Sequence, residues 1–146
     1  MRFKYTFQKI VDLKSNEKTQ AEWVLSGAIG HLREEEESLS TLFSEKSSVE
    51  TELVSAALHT TASELMNYQY YLDHLNNRIR CKTADVRLAE KNVVEKRGIL
   101  SSKMVEEKVW DQARNKAYLL HQATVLKKEQ EVLDEMATMR HKASHG

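Results

Sequence analysis

The chain has 146 residues, 22 Lys+Arg against 22 Asp+Glu, no proline, four glycines and one cysteine. Zero net charge argues against a nucleic-acid binder. The single thiol, Cys81, excludes an internal disulfide and suits a reducing compartment. Without proline and with little glycine there are few tight turns, and 30% charged residues alongside 40% apolar ones is the composition of long helices or coiled coil in one domain.

The N-terminal stretch Arg2–Lys14 is basic and amphipathic. It never develops the apolar run of a signal peptide, and the longest apolar stretch, around Trp23–Ile29, is far short of a membrane span. A transit peptide or membrane-surface helix is one reading; the plainer one is the start of an amphipathic helix with Phe3, Phe7 and Ile10 on the face toward a partner helix. A soluble cytoplasmic protein is the expectation.

Heptads organise the rest. Leu25, Leu32 and Leu39 fall seven apart, and Leu42, Val49 and Ala56 repeat the spacing three positions on; together they form one a/d seam, interrupted by Glu35 and Lys46. A second seam is cleaner. Leu65, Leu72, Ile79, Val86, Val93 and Leu100 recur every seven residues with Tyr68, Leu75, Lys82, Ala89 and Lys96 as companions, and nine of these eleven positions are apolar. The lysines loosen that seam, although their stems can lie along apolar surface. The two seams are out of phase by five residues, so either one helix carries a stutter or a second helix begins.

The break falls at His59-Thr60-Thr61-Ala62-Ser63. Threonine is a weak helix former, and Thr61 with Glu64 has the spacing of a capping box. The same spacing occurs at Thr19/Glu22 and Ser47/Glu50, so coincidence with the phase change decides among them. Charge supports a reversal there. Residues 31–52 hold seven acids and two bases, and residues 78–108 hold nine bases and five acids; folding back places Glu34–Glu45 against the region around Arg78–Arg87. The expected fold is all-α, a long antiparallel two-helix coiled coil, with helix one over about 3–58, a turn at about 59–62, helix two over about 62–141 and a frayed tail. Trp23 and Trp110 are each expected in the seam.

Beyond about residue 120 helix one runs out. Leu119, Leu126 and Leu133 continue at sevens, with Ala123 and Ala137 alongside, and Val132, Met136 and Met139 widen the stripe. An overhang of this kind needs a partner or it exposes an apolar patch. Tyr68, Tyr70 and Tyr71 cluster just past the turn, and only Tyr68 belongs to the seam, so Tyr70 and Tyr71 are either interaction residues or packing over the hairpin tip.

Sites for chemistry are scarce. Glu34–Glu37 points all round a helix and reads as a solvated face. His141 and His145 stand four apart without a third ligand nearby. Cys81 has basic neighbours and no positioned base. There is no phosphate-cradling glycine loop. No catalytic, cofactor or metal residues are assigned.

Three segments carry a family resemblance. The opening Phe3-Lys4-Tyr5-Thr6-Phe7-Gln8-Lys9-Ile10-Val11-Asp12-Leu13, the middle Asn67-Tyr68-Gln69-Tyr70-Tyr71-Leu72-Asp73-His74-Leu75 and the end Lys128–Arg140 resemble, in order and spacing, the flagellar export protein FliJ family; Glu131 stands where many relatives carry Lys. The resemblance implies a non-enzymatic, stalk-like coiled coil of the bacterial flagellar type III export apparatus. It implies binding and stimulation of the hexameric export ATPase, contact with the cytoplasmic region of the export gate protein FlhA, an escort role toward export chaperones, and a cytoplasmic location at the inner membrane of the flagellar base, peripheral through partners. No nucleic acid and no cofactor are implied. The residues expected to meet partners are Tyr68, Tyr70, Tyr71 and Leu75 near the turn, and Phe3, Phe7, Leu126, Leu133, Met136, Met139 and Arg140 at the other end. A homodimeric coiled-coil scaffold and the equivalent stalk protein of a virulence secretion system are the alternatives.

Overall fold

The computed structural model describes residues 2–145. It is an α-hairpin of two helices, α1 (Gln8–Ala56) and α2 (Ala62–His145), and no strand occurs among the described residues. The stretch 57–61 reverses the chain. At its end the Thr61 hydroxyl accepts a hydrogen bond from the Glu64 backbone N–H at 3.2 Å, and the Thr61 carbonyl accepts one from Leu65. This is the N-cap half of a capping box. The other half is altered, because the Glu64 carboxylate is taken by the Thr60 hydroxyl. The two rival Thr/Ser-x-x-Glu sites lie inside α1. At the first of them the Thr19 hydroxyl bonds back to the Ser15 carbonyl, the route by which a mid-helix threonine satisfies its hydroxyl.

Both helices contribute to each of two compact units. In the unit formed by Gln20–Leu100, the seam is the one the heptads mark. Leu42, Val49, Leu72 and Leu75 form a buried cluster, with Leu53, Tyr68 and Ile79 packed against it. Farther along, Ala21, Ala28, Val86, Ala89 and Val93 are buried. Two of the polar positions are built in as a pair: Lys82 Nζ donates to Glu35 Oε2 at 3.0 Å, one interruption meeting another across the seam. That contact holds the Lys82 ammonium above the ordinary lysine range. Tyr71, on α2, donates its hydroxyl to the Glu45 carboxylate on α1. The acidic stretch of α1 therefore meets α2 a few residues nearer the turn than a reversal centred on Thr61 predicts.

Two expectations need correction. Trp23 is 74% exposed and outside the seam; the seam positions around it are Ala21 and Leu25, and Trp23 falls between them on the outer side of the helix. The helix boundaries also differ from the sequence reading. α1 starts at Gln8 rather than near residue 3, because Phe3 and Phe7 are drawn onto α2 aromatics instead of continuing a helix. α2 runs through His145, past the expected end near residue 141, with no glycine or proline between Arg140 and His145.

Candidate partner-binding surfaces

In the second unit, Met1–Thr19 with Ser101–Gly146, the N-terminal segment is stapled by rings. Phe3 meets Tyr118 edge-on at 5.2 Å between centroids and lies 5.3 Å from His121. Phe7 lies 6.0 Å from Trp110, and Tyr5 packs edge-on against Phe7. Trp110 is accordingly half-buried. The Phe7 carbonyl accepts from Val11 to open α1, and Val11 is buried.

Just beyond the rings the seam turns polar. Lys14 and Lys103 each touch both Glu17 and Glu106, at 3.3 Å across the helices and 3.6 Å along them, so the four charges close a ring. Lys18 adds a contact to Glu107 at 3.1 Å. The hydrogen bond from Lys103 holds the Glu17 carboxyl below its ordinary range, and the Glu106 contact raises the Lys14 ammonium. None of these pairings was read from the sequence, although Lys14, Lys18, Lys103 and Glu107 all occupy heptad positions of the two seams. Charged residues at regular seam spacing in both helices were the available signal.

From Leu126 onward every described side chain of α2 is exposed. Leu126, Val132, Leu133, Met136 and Met139 are each more than half accessible. Leu126, Glu129, Leu133, Met136 and Arg140 follow at spacings of three, four, three and four residues, which places them in line along one face. The stripe is therefore apolar with two charged interruptions, Glu129 and Arg140. Phe3 packs at 118–121 and borders only the start of the stripe, lining one concavity with Leu126, while Phe7 packs at 110. Lys128, Val132 and Leu133 border a shallow concavity beside it.

Near the turn the expected set divides. Tyr70 is 63% exposed and makes no part of the buried cluster. Tyr71 is exposed with its hydroxyl held by Glu45, a contact that raises its phenol above the ordinary range. Tyr68 is half-buried against the core and, with Glu64, Asn67 and Tyr71, lines an open groove. Leu75 has 0% exposure and belongs to the helix–helix seam, so it presents no surface to a partner.

Little else is available for chemistry. Among the described residues no group of three or more His, Cys, Asp and Glu is placed to share a metal ion, and no helix is long and apolar enough to cross a membrane. Cys81 is exposed, and the side chain of His145 lies outside the described residues.

In comparison with known proteins, the family model described as "Flagellar FliJ protein" matches residues 3–146. No curated protein and no solved structure matches the chain.

Proposed function

The chain belongs to the flagellar FliJ protein family, a family of flagellar export components; from that premise we propose that it is a non-catalytic, stalk-like adaptor linking the export ATPase to the export gate. The observation that carries this reading is the apolar stripe from Leu126 to Met139, whose apolar side chains are each more than half solvent-exposed. Exposed apolar stripes of this kind mark interaction sites.

The stripe is the element assigned to the hexameric ATPase. A single asymmetric helix end meeting six similar subunits cannot complement each of them equally. Met136 and Met139 suit that task, because an unbranched thioether packs in several geometries. Leu126 and Leu133 are the anchors, and Arg140 is available to acidic groups on the ring. Truncating anchors removes most of the affinity of such a contact, while rim changes do little.

The turn end is assigned to the cytoplasmic region of FlhA, through Tyr70 and Tyr71. Tyrosine offers a large amphipathic contact area, and Tyr70 is unused by the hairpin's own core. Export chaperones are further partners on this reading. The protein sits on the cytoplasmic side of the flagellar base and reaches the membrane only through these partners.

The test is ATP hydrolysis by the purified export ATPase with the full chain and with a chain ending at Lys127. Stimulation by the full chain alone supports the assignment; equal stimulation by both removes the C-terminal stripe from the mechanism. For the gate, a Tyr70→Ala/Tyr71→Ala variant is expected to lose FlhA affinity with its helix content intact. Unchanged affinity with lost helix content would make the tyrosines structural.

A further inference from the structure

The stripe that would meet the ATPase carries a pattern a generic docking face does not need. Its two charged interruptions, Glu129 and Arg140, are of opposite sign and lie the same distance on either side of the point between residues 134 and 135. Leu133 and Met136 are likewise symmetric about that point, as are Val132 and Ala137, and Leu126 and Ala143. A helix with this arrangement is complementary to itself turned end for end.

We propose that, when the ATPase is absent, the C-terminal stripe is covered by the same stripe of a second copy of this chain, antiparallel about a twofold axis between residues 134 and 135. Leu133 then packs against the second copy's Met136, and Glu129 against the second copy's Arg140, each contact occurring twice, as an isologous interface requires. In a parallel pair Glu129 would face Glu129 and Arg140 would face Arg140, so like charges exclude that orientation.

The hairpin itself provides the precedent. Its seam is also antiparallel, and there too an acid and a base that interrupt apolar heptads meet across the helices, Glu35 with Lys82 at 3.0 Å. The charges bordering the C-terminal stripe do not oppose the pairing. Asp134 and Glu135 project away from the line through Leu133 and Met136, and the Asp134 carboxylate accepts from Gln130 within its own helix.

The strength of the dimer follows from its size. Residues 126–143 give about 27 Å of helix at 1.5 Å per residue. A single seam of that length buries less than the ~1,200 Å² of a standard stable interface. The dimer is therefore weak and concentration-dependent, and an ATPase ring competing for the same stripe can displace it. The pairing itself does not depend on the ATPase reading; only this competition does.

Sedimentation equilibrium of the full chain, from micromolar to millimolar concentration, tests it. The wild type should dimerise in that range. Glu129→Arg or Arg140→Glu alone should weaken association at least about ten-fold, roughly the effect of opposing like charges where a pair was intended. The double variant Glu129→Arg/Arg140→Glu should regain wild-type association, which a role in helix stability alone would not produce. Far-UV circular dichroism checks that all three keep their helix content. In a Cys81→Ser background, chains carrying Leu133→Cys mixed with chains carrying Met136→Cys should cross-link more readily than either alone. A monomer at every concentration overturns the proposal, and so does a dimer that the single reversals leave unchanged or the double variant fails to restore. A monomer that still stimulates the ATPase through its C-terminal segment removes the self-pairing and keeps the proposed function; a charge-sensitive dimer whose chain ending at Lys127 stimulates equally well does the reverse.

Discussion

Leu75 is the fully buried side chain of the hairpin, at 0% exposure within the cluster of Leu42, Val49 and Leu72. Replacing it by alanine removes three buried carbons, a transfer loss of roughly 2.4 kcal/mol at about 0.8 kcal/mol each. A cavity contribution is added when the surroundings cannot collapse, and Leu→Ala changes span about 2–5 kcal/mol for that reason. A two-helix seam is open on both sides, so its helices can draw together and keep the cavity small. The expected cost of Leu75→Ala is therefore near the lower end, about 2.5–3 kcal/mol. Urea unfolding followed by far-UV circular dichroism reads it, with Tyr70→Ala as the exposed control at under about 0.5 kcal/mol. If the two variants lose the same stability, the seam at Leu75 is not the tight point of the fold. The same pair of variants separates packing from recognition at the turn end. If the turn end meets FlhA as proposed, binding lost through Leu75→Ala should return when an osmolyte such as TMAO restores the fold. Binding lost through a Tyr70→Ala/Tyr71→Ala variant should not.

The charge ring gives a pH dependence with a definite sign. Glu17 has a lowered carboxyl pKa, so its contribution is complete above the ordinary carboxylate range and is lost as pH falls through and below that range. Glu17→Gln should flatten the acid limb of the unfolding midpoint. Lys14 and Lys82 are raised, so their contributions persist below the ordinary lysine range and fade above it; Glu35→Gln should flatten the alkaline limb. Trp23→Phe should leave a fluorescence spectrum from Trp110 alone, blue-shifted and poorly quenched by iodide relative to Trp110→Phe, which leaves the exposed indole. Thr61→Ala removes the N-cap acceptor of α2 and should cost about 1 kcal/mol, measured in the same urea titration, with Thr19→Ala costing distinctly less.

The seam could be read from sequence because both of its faces repeat at seven: Leu42, Val49, Leu72 and Leu75 needed only period to be placed together. Thr61 could be read because a phase change coincided with capping chemistry. Other features depended on tertiary contacts without a local signature. Nothing in the run Phe3–Phe7 announces that these rings leave helical geometry to reach Tyr118 and Trp110. Trp23 is expected in the seam, yet its position between Ala21 and Leu25 puts it outside, a case where period outweighs hydrophobicity. Glu35 and Lys82 were each recognised as defects of a seam. A defect in one helix is neutralised by a matching defect in the other, and only the register shows which match. Leu75 was grouped with the neighbouring tyrosines as a contact residue on the strength of a family segment, where the heptad alone assigned it correctly to the interior.

The turn has a consequence of its own. The described residues include no positive φ, glycine or otherwise, so Ala57, Leu58, His59, Thr60 and Thr61 reverse the chain with backbone angles open to ordinary L-residues. Its side-chain anchors are the Thr60 and Thr61 hydroxyls, both at the far end, and at the near end the His59 N–H donates to the Ala56 carbonyl. Such a link specifies little about its own length, because the entropy of closing a loop grows only logarithmically, about 0.6 kcal/mol for each doubling. Segments spliced between His59 and Thr60 would leave the cap and the buried cluster untouched. The position is a natural port for a reporter or a foreign domain, in a protein whose remaining length is almost entirely helix.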